Sequence, residues 1–305
     1  MDWFLPFIAA LLFMIQSLLL KKIRSREREA LVIHVSYMLV AAFGCAAVWI
    51  SSGHLRIDPV TVGAGLCYGI DFALTMIVYA RALATGPLTY SAFCFSASML
   101  IPVAASHWLW NERISHVQVI GITMFLISFY CILVLDGKRK TELTRPDRVW
   151  YLYALAAFVC NGLLSVFAKY HQTEVGEESA AFLGIGFLSG AAVTMIGVLI
   201  LSTIGFRRER LNSYTLRGLV YRLRTVLDKE NLLIIAGIAS ATGFGNGLVV
   251  WMTSRYAGAN LFPAINGSVI IGLLMASRFL YGERLSSAGW IGAFIGVAAN
   301  IPVSF

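Results

Sequence analysis

ASHWLWNERIS occupies Ala105–Ser115, and 171 positions later ASRFLYGERLS occupies Ala276–Ser286. Six of the eleven positions are identical, and three more exchange like for like: Trp for Phe, Trp for Tyr and Ile for Leu. A match of this quality marks an internal duplication. What was duplicated is read from the chain on either side of each copy.

Those flanks are apolar. Hydrophobic residues make up 58% of the 305 and charged residues only 13%, about half the charged share of an ordinary soluble domain, which excludes a water-soluble globule. The charges leave ten apolar runs: Trp3–Leu20, Ala30–Ser52, Pro59–Leu83, Leu88–Trp110, Val117–Leu135, Val149–Ala168, Ala180–Ile204, Asn231–Ser254, Ala259–Tyr281 and Ala288–Phe305. A helix needs about 20 apolar residues to cross a bilayer core. The pattern therefore predicts an all-α integral membrane protein with ten transmembrane helices. Lys21 and Lys22 follow the first run and no A-x-A site comes next, so that run is read as a span and not as a signal peptide. Cys45, Cys67, Cys94, Cys131 and Cys160 all fall inside runs and read as small core residues, neither disulfide partners nor metal ligands.

Loop charge predicts the topology. Nineteen Lys and Arg residues lie in loops after odd-numbered spans and four in loops after even-numbered spans. Cations in short loops stay on the cytoplasmic side, so both termini are expected outside, in the cytoplasmic (inner) membrane. The net charge of +8 is then a sorting signal and not a nucleic-acid footprint, since no loop is long enough to build a basic face. In the loop 206–230, Leu216, Leu219, Val220, Leu223, Val226 and Leu227 fall at helical spacing opposite Arg217, Arg222 and Arg224. That spacing predicts an amphipathic helix on the inner leaflet, with a solvated linker as the other reading.

The first copy of the repeat closes span four and the second closes span nine. Residues 1–137 and 148–305 thus form two five-helix halves joined by a linker, 138–147. An odd number of spans makes the halves enter the membrane in opposite directions, so the predicted repeat is inverted about an axis in the membrane plane. Further traces agree: Ser17-x-x-x-Lys21 with Ser165-x-x-x-Lys169, and Ile120-Gly121 with Ile291-Gly292. Ser115 and Ser286 each follow the Glu-Arg pair, placed to cap the next helix. Inverted repeats of this type recur in secondary transporters, where rocking one half against the other exposes a central site to alternate sides.

Ten spans in two halves, each with an Asn/Gly-Glu-Arg-Ile/Leu-Ser turn after its fourth helix and a Gly six residues after that Ser, resemble the EamA-type members of the drug/metabolite transporter superfamily. The resemblance covers nearly the whole chain. It implies export or exchange of small metabolites such as amino acids; relatives carry nucleotide sugars, choline or cationic drugs. Two features depart from the group: its ten-span members usually keep the amino terminus in the cytosol, and the long basic loop after span seven is unusual.

The expected function is secondary transport of a small metabolite, an amino acid or related amine first, by alternating access. The energy would come from protons or from exchange, with no cofactor, no nucleic-acid partner and no enzymatic step, in a monomer or homodimer within the lipid bilayer. A membrane sensor or assembly subunit is one rival reading. A lipid-modifying membrane enzyme is another, although the chain has no H-E-x-x-H, G-x-S-x-G or P-loop pattern.

Asp71, in CYGIDFALTMIVYARA, is the acidic residue placed deepest in any span. At that depth a carboxylate is expected to face a cavity, meet a cation or carry a proton, and structural pairing is the alternative. Matching span three to span eight sets it opposite Asn246. Tyr68, Phe72, Tyr90, Phe93 and Trp251 are candidate stacking or cation–π groups. Gln16, Asn161 and Asn266 are polar groups inside spans one, six and nine that fit a shared pocket. Pro102 and Pro263 are candidate hinges. Glu112 and Glu283 are read as orienting the turns or pairing with nearby arginines, while His107 and Arg278 snorkel to the surfaces. Small-xxx-small spacings at Gly65/Gly69, Gly186/Gly190, Gly237/Ala241/Gly245 and Gly292/Gly296 are read as close helix packing. No residue is assigned a catalytic or metal-binding role.

Overall fold

The computed structural model describes residues 4–22, 27–53, 57–136, 148–176, 178–208, 228–282 and 286–303. Every regular element among them is helical: α1 Phe4–Lys22, α2 Glu27–Ser51, α3 Pro59–Thr85, α4 Leu88–Ala97, α5 Leu100–Trp110 and α6 His116–Phe129, which continues as a π-helical segment Tyr130–Asp136. Then follow α7 Arg148–Glu174, α8 Ser179–Arg208, α9 Lys229–Thr253, α10 Gly258–Tyr281 and α11 Ser287–Val303. Among the described residues eight helices are long and apolar enough to cross a membrane, α4 and α5 together counting as one. The fifth and tenth expected spans are shorter apolar helices, His116–Ile132 and Ser287–Ala299. Phe4, Phe43, Trp108, Phe244 and Phe279 are each more than two-thirds exposed. Such an outer face suits lipid and not water. The chain is an all-α, multi-pass membrane protein.

Local sequence sets the helix ends. Asp58 caps α3, its Oδ1 accepting from the Val60 N–H at 2.7 Å, and Pro59 sits in the first turn, where a missing N–H costs nothing. The helices in the two copies of the repeated stretch end alike. α5 ends on Asn111 at φ 52°, whose N–H returns to the Ser106 carbonyl; α10 ends on Gly282 at φ 63°, whose N–H returns to the Ser277 carbonyl. Asn and Gly are the residues that tolerate this left-handed backbone. Ser115 and Gln118 then form a capping box at the start of α6, and the Ser286 hydroxyl accepts from the Gly289 N–H at 3.4 Å before α11.

The fourth expected span is two helices. Pro102 has no N–H to offer the Ser98 carbonyl, which takes the Ile101 N–H at 2.9 Å instead. The break falls between Ala97 and Leu100. Pro263, the other candidate hinge, lies inside α10, which runs through it unbroken.

The main packing joins the first half of the chain to the second. α2 lies on α8, α3 on α7 and α8, α1 on α9 and α10, α4 and α5 on α7 and α10, and α6 on α11. The pairings come in matched sets. Exchanging α1, α2, α3, α4/α5 and α6 for α7, α8, α9, α10 and α11 turns α3–α7 into α9–α1, α3–α8 into α9–α2, and α4/α5–α7 into α10–α1. The same exchange leaves α2–α8, α4/α5–α10 and α6–α11 as they are. Small residues carry the closest approaches: a Cβ at Gly69 would run into the Gly186 carbonyl, one at Gly190 would stand 2.8 Å from the Gly69 carbonyl, and one at Gly292 would stand 2.7 Å from Cys131. Where α2, α3 and α8 meet, Tyr37, Tyr68, Phe72, Phe182 and Phe187 form an aromatic core. The linker 138–147, residues 209–227 of the basic loop and Glu283 lie outside the described residues.

Candidate substrate cavity

Six helices wall a cavity of about 70 Å³: α1, α3, α4, α7, α9 and α10. Gln16, Tyr68, Phe72, Asn161, Asn246 and Asn266 line it. Asp71, Tyr90, Phe93 and Trp251 lie elsewhere. An engineered cavity of ~150 Å³ holds benzene, so this space suits a few waters and a metabolite requires the walls to separate.

The three asparagines are oriented by one rule. A backbone carbonyl only accepts, so an amide touching one must present its nitrogen. Asn161 Nδ2 donates to the Phe95 carbonyl at 3.1 Å and to the Ser98 hydroxyl at 2.6 Å. Asn246 Nδ2 donates to the Thr242 carbonyl and Asn266 Nδ2 to the Phe262 carbonyl, both at 2.8 Å. The Oδ1 atoms are left as acceptors. That of Asn246 takes the Tyr68 hydroxyl at 2.9 Å and so ties α3 to α9.

Other side chains bind the walls to one another. Gln16 Nε2 donates to the Thr242 hydroxyl at 2.8 Å and reaches Met76 Sδ at 3.5 Å. The Tyr79 hydroxyl donates to Ser17 at 3.1 Å, and its ring stacks on Phe95 with centroids 4.0 Å apart. Asn161 has a second task, because its bonds to Phe95 and Ser98 satisfy polar groups at the break between α4 and α5. The wall is thus amides, hydroxyls and the rings of Phe13, Phe72, Phe95 and Phe262, and no carboxylate or cation lines it among the described residues. It can accept hydrogen bonds from a ligand's ammonium, amide or hydroxyl groups and hold an apolar or cationic part against rings.

Asp71 occupies the middle of α3 and is not among the residues that line this space. At 3.6 residues per turn Asp71 lies about 60° round the helix from Tyr68, at the edge of the face that carries positions 68, 72, 76 and 79. The Asp71 carboxyl and the Thr75 hydroxyl one turn further on both meet the Cys160 thiol of α7, and Asp71 Oδ2 is buried with no hydrogen-bond partner. The expected facing of Asp71 and Asn246 is not made; Tyr68 takes Asn246 instead. Tyr90 is buried with its ring 6.2 Å from that of Trp150. Phe93 is buried in the neighbouring cluster with Phe125 and Phe262. Trp251 is partly exposed and lies under the Arg255 guanidinium at 3.8 Å. All five cysteines are unpaired, and Cys67 is the exposed one.

Glu112, read from the sequence as orienting its turn or pairing with a nearby arginine, pairs with Lys169. Lys169 Nζ also donates to the Ser106 hydroxyl at 2.8 Å and stands 5.1 Å from the centroid of Trp110, and His107 Nδ1 donates to the Glu112 carbonyl at 2.9 Å. Several wall residues escape the sequence reading, among them Phe13, Met76, Tyr79 and Phe95. For two others a signal was present: Ser17 and Ser165 open the repeated Ser-x-x-x-Lys, and both line the cavity.

No family model matches the chain. An uncharacterized protein of Haemophilus influenzae is 22% identical over 241 residues, which span 77% of this chain and 72% of that protein. A protein of known crystal structure superposes with a TM-score of 0.65 over 98% of this chain and 94% of its own, at 17% identity. That likeness shows a shared fold and nothing further.

Proposed function

We propose that the chain is a secondary transporter of the EamA type, built of two inverted five-helix repeats around the cavity and moving a small metabolite across the inner membrane by alternating access. The observation that carries this reading is the cavity wall itself: α1, α3 and α4 from the first half meet α7, α9 and α10 from the second, in matched positions. A site shared so evenly is where two rocking halves would hold a solute. The matched helix pairings and the twin turns at Asn111 and Gly282 support the repeat.

The wall chemistry favours a solute with hydrogen-bond donors and an apolar part, such as an amino acid or related amine. Asp71 stands beside the cavity and not in it, so its role in this reading is to carry the coupling proton at the α3–α7 contact. Both termini then lie outside, as the loop charges indicate. The test is counterflow in proteoliposomes loaded with amino acids, polyamines or quaternary amines. Saturable uptake of one class, weakened by Asn266→Ala or Gln16→Ala, is the expected result. A solute that stabilises the protein against heat but never crosses the membrane would favour a sensor instead.

A further inference from the structure

We propose that Lys169 and Lys21 are the two gate residues of the molecule, each tying the first helix of its own half to the end of the fourth helix of the other half, at opposite ends of the bundle. The proposal rests on the alternating-access reading above. Lys21 and Lys169 close the two copies of Ser-x-x-x-Lys, and Trp110 and Tyr281 occupy the same place in the two copies of the eleven-residue repeat. The structure joins these four residues crosswise. Lys169 stands 5.1 Å from the centroid of Trp110, and Lys21 stands 4.6 Å from that of Tyr281. In each pair one half supplies the lysine and the other the ring.

The two clamps are at opposite ends. Thr89, at the start of α4, touches Ser277, near the end of α10, at 2.7 Å. The Lys21–Tyr281 pair is therefore at the end where the fourth span begins, and Trp110 is where that span finishes. Each clamp also stands directly beyond the cavity. Ser17 and Ser165 line it, and a lysine four residues later lies on the same helical face one turn further out. A route from the cavity to either end along these faces passes one clamp.

The two clamps differ in burial. Lys169 is only 5% exposed and holds Glu112 and the Ser106 hydroxyl as well as the ring, whereas Lys21 is less deeply buried. A charge pair weakens roughly four-fold when water replaces a protein environment of moderate polarity. The Lys169–Glu112 pair and the cation–ring contacts at both lysines are all stronger dry than wetted, which gives each end two states. Opening one end while the other stays shut is then what Lys169 and Lys21 would enforce.

Hydrogen exchange of the full chain in lipid nanodiscs tests this, with Lys169→Met, Lys21→Met and Glu112→Gln compared with the parent protein. Glu112→Gln keeps the lysine and the ring, so it serves if Lys169→Met fails to fold. Lys169→Met is expected to raise exchange several-fold at residues 106–116 and 165–175 while lowering it at 17–22 and 276–282, and Glu112→Gln to do the same more weakly. Lys21→Met should do the reverse. If each variant loosens only its own end, or loosens both ends alike, the lysines are struts and the proposal fails. Reciprocal exchange in a chain that moves no solute would keep the gates and remove transport; counterflow with one-sided exchange would keep transport and remove the gates.

Discussion

Tyr68 and Asp71 stand three residues apart on α3 and do different work. The Tyr68 hydroxyl holds Asn246 across the cavity, while Asp71 faces Cys160 outside it. Tyr68→Phe deletes one hydrogen bond and should cost about 1 kcal/mol, seen as a lower melting temperature and weaker ligand stabilisation. Asp71→Asn should leave ligand-induced stabilisation intact and flatten the pH dependence of counterflow. Loss of binding with the pH dependence preserved would put the carboxylate back in the binding site. Gln16, Asn161 and Asn266 stand out in the sequence because a lone amide in an apolar run needs a partner, and all three line the cavity. The direction of Asp71 is not legible, because the rotation of α3 against its neighbours is settled by packing at Gly65 and Gly69 and not by any local pattern.

Within α3 and α8 that packing can be tested directly. A methyl at Gly69 meets the Gly186 backbone, which cannot move aside as a flexible side chain can, so Gly69→Ala should destabilise the protein by about 1–3 kcal/mol on thermal unfolding. The same substitution at Gly44, where a Cβ meets nothing within 4 Å, is the matched control. The divided fourth span makes a second case. Pro102→Ala returns a donor to the Ser98 carbonyl, and α4 and α5 should then tend to fuse, with slower hydrogen exchange at residues 98–102 and slower counterflow. The proline is visible in the sequence as a candidate break. That Asn161 of another helix would cover the freed groups is not visible, since nothing in either segment names the other.

At the scale of the whole molecule, the two halves are separate in sequence but interleaved in space. Their principal contacts are with each other: α3 packs on α7 and α8, α1 on α9 and α10. Residues 1–137 expressed alone should therefore be degraded or aggregate, and co-expression with 148–305 should restore a complex that stays together through gel filtration. Two halves each stable alone would show that the interleaving contributes little to folding.

The sequence by itself determined the all-α membrane class and showed the paired eleven-residue stretches. Spanning segments are a matter of length and composition, and a cap such as Ser115 acts within a few residues of where it stands. Only the tertiary structure decided which side chains share the cavity, that Glu112 meets Lys169, and that Asp71 stands outside the wall. Those outcomes depend on the rotation and register of helices far apart in the chain. Close packing fixes rotation and register only when all the helices are present together.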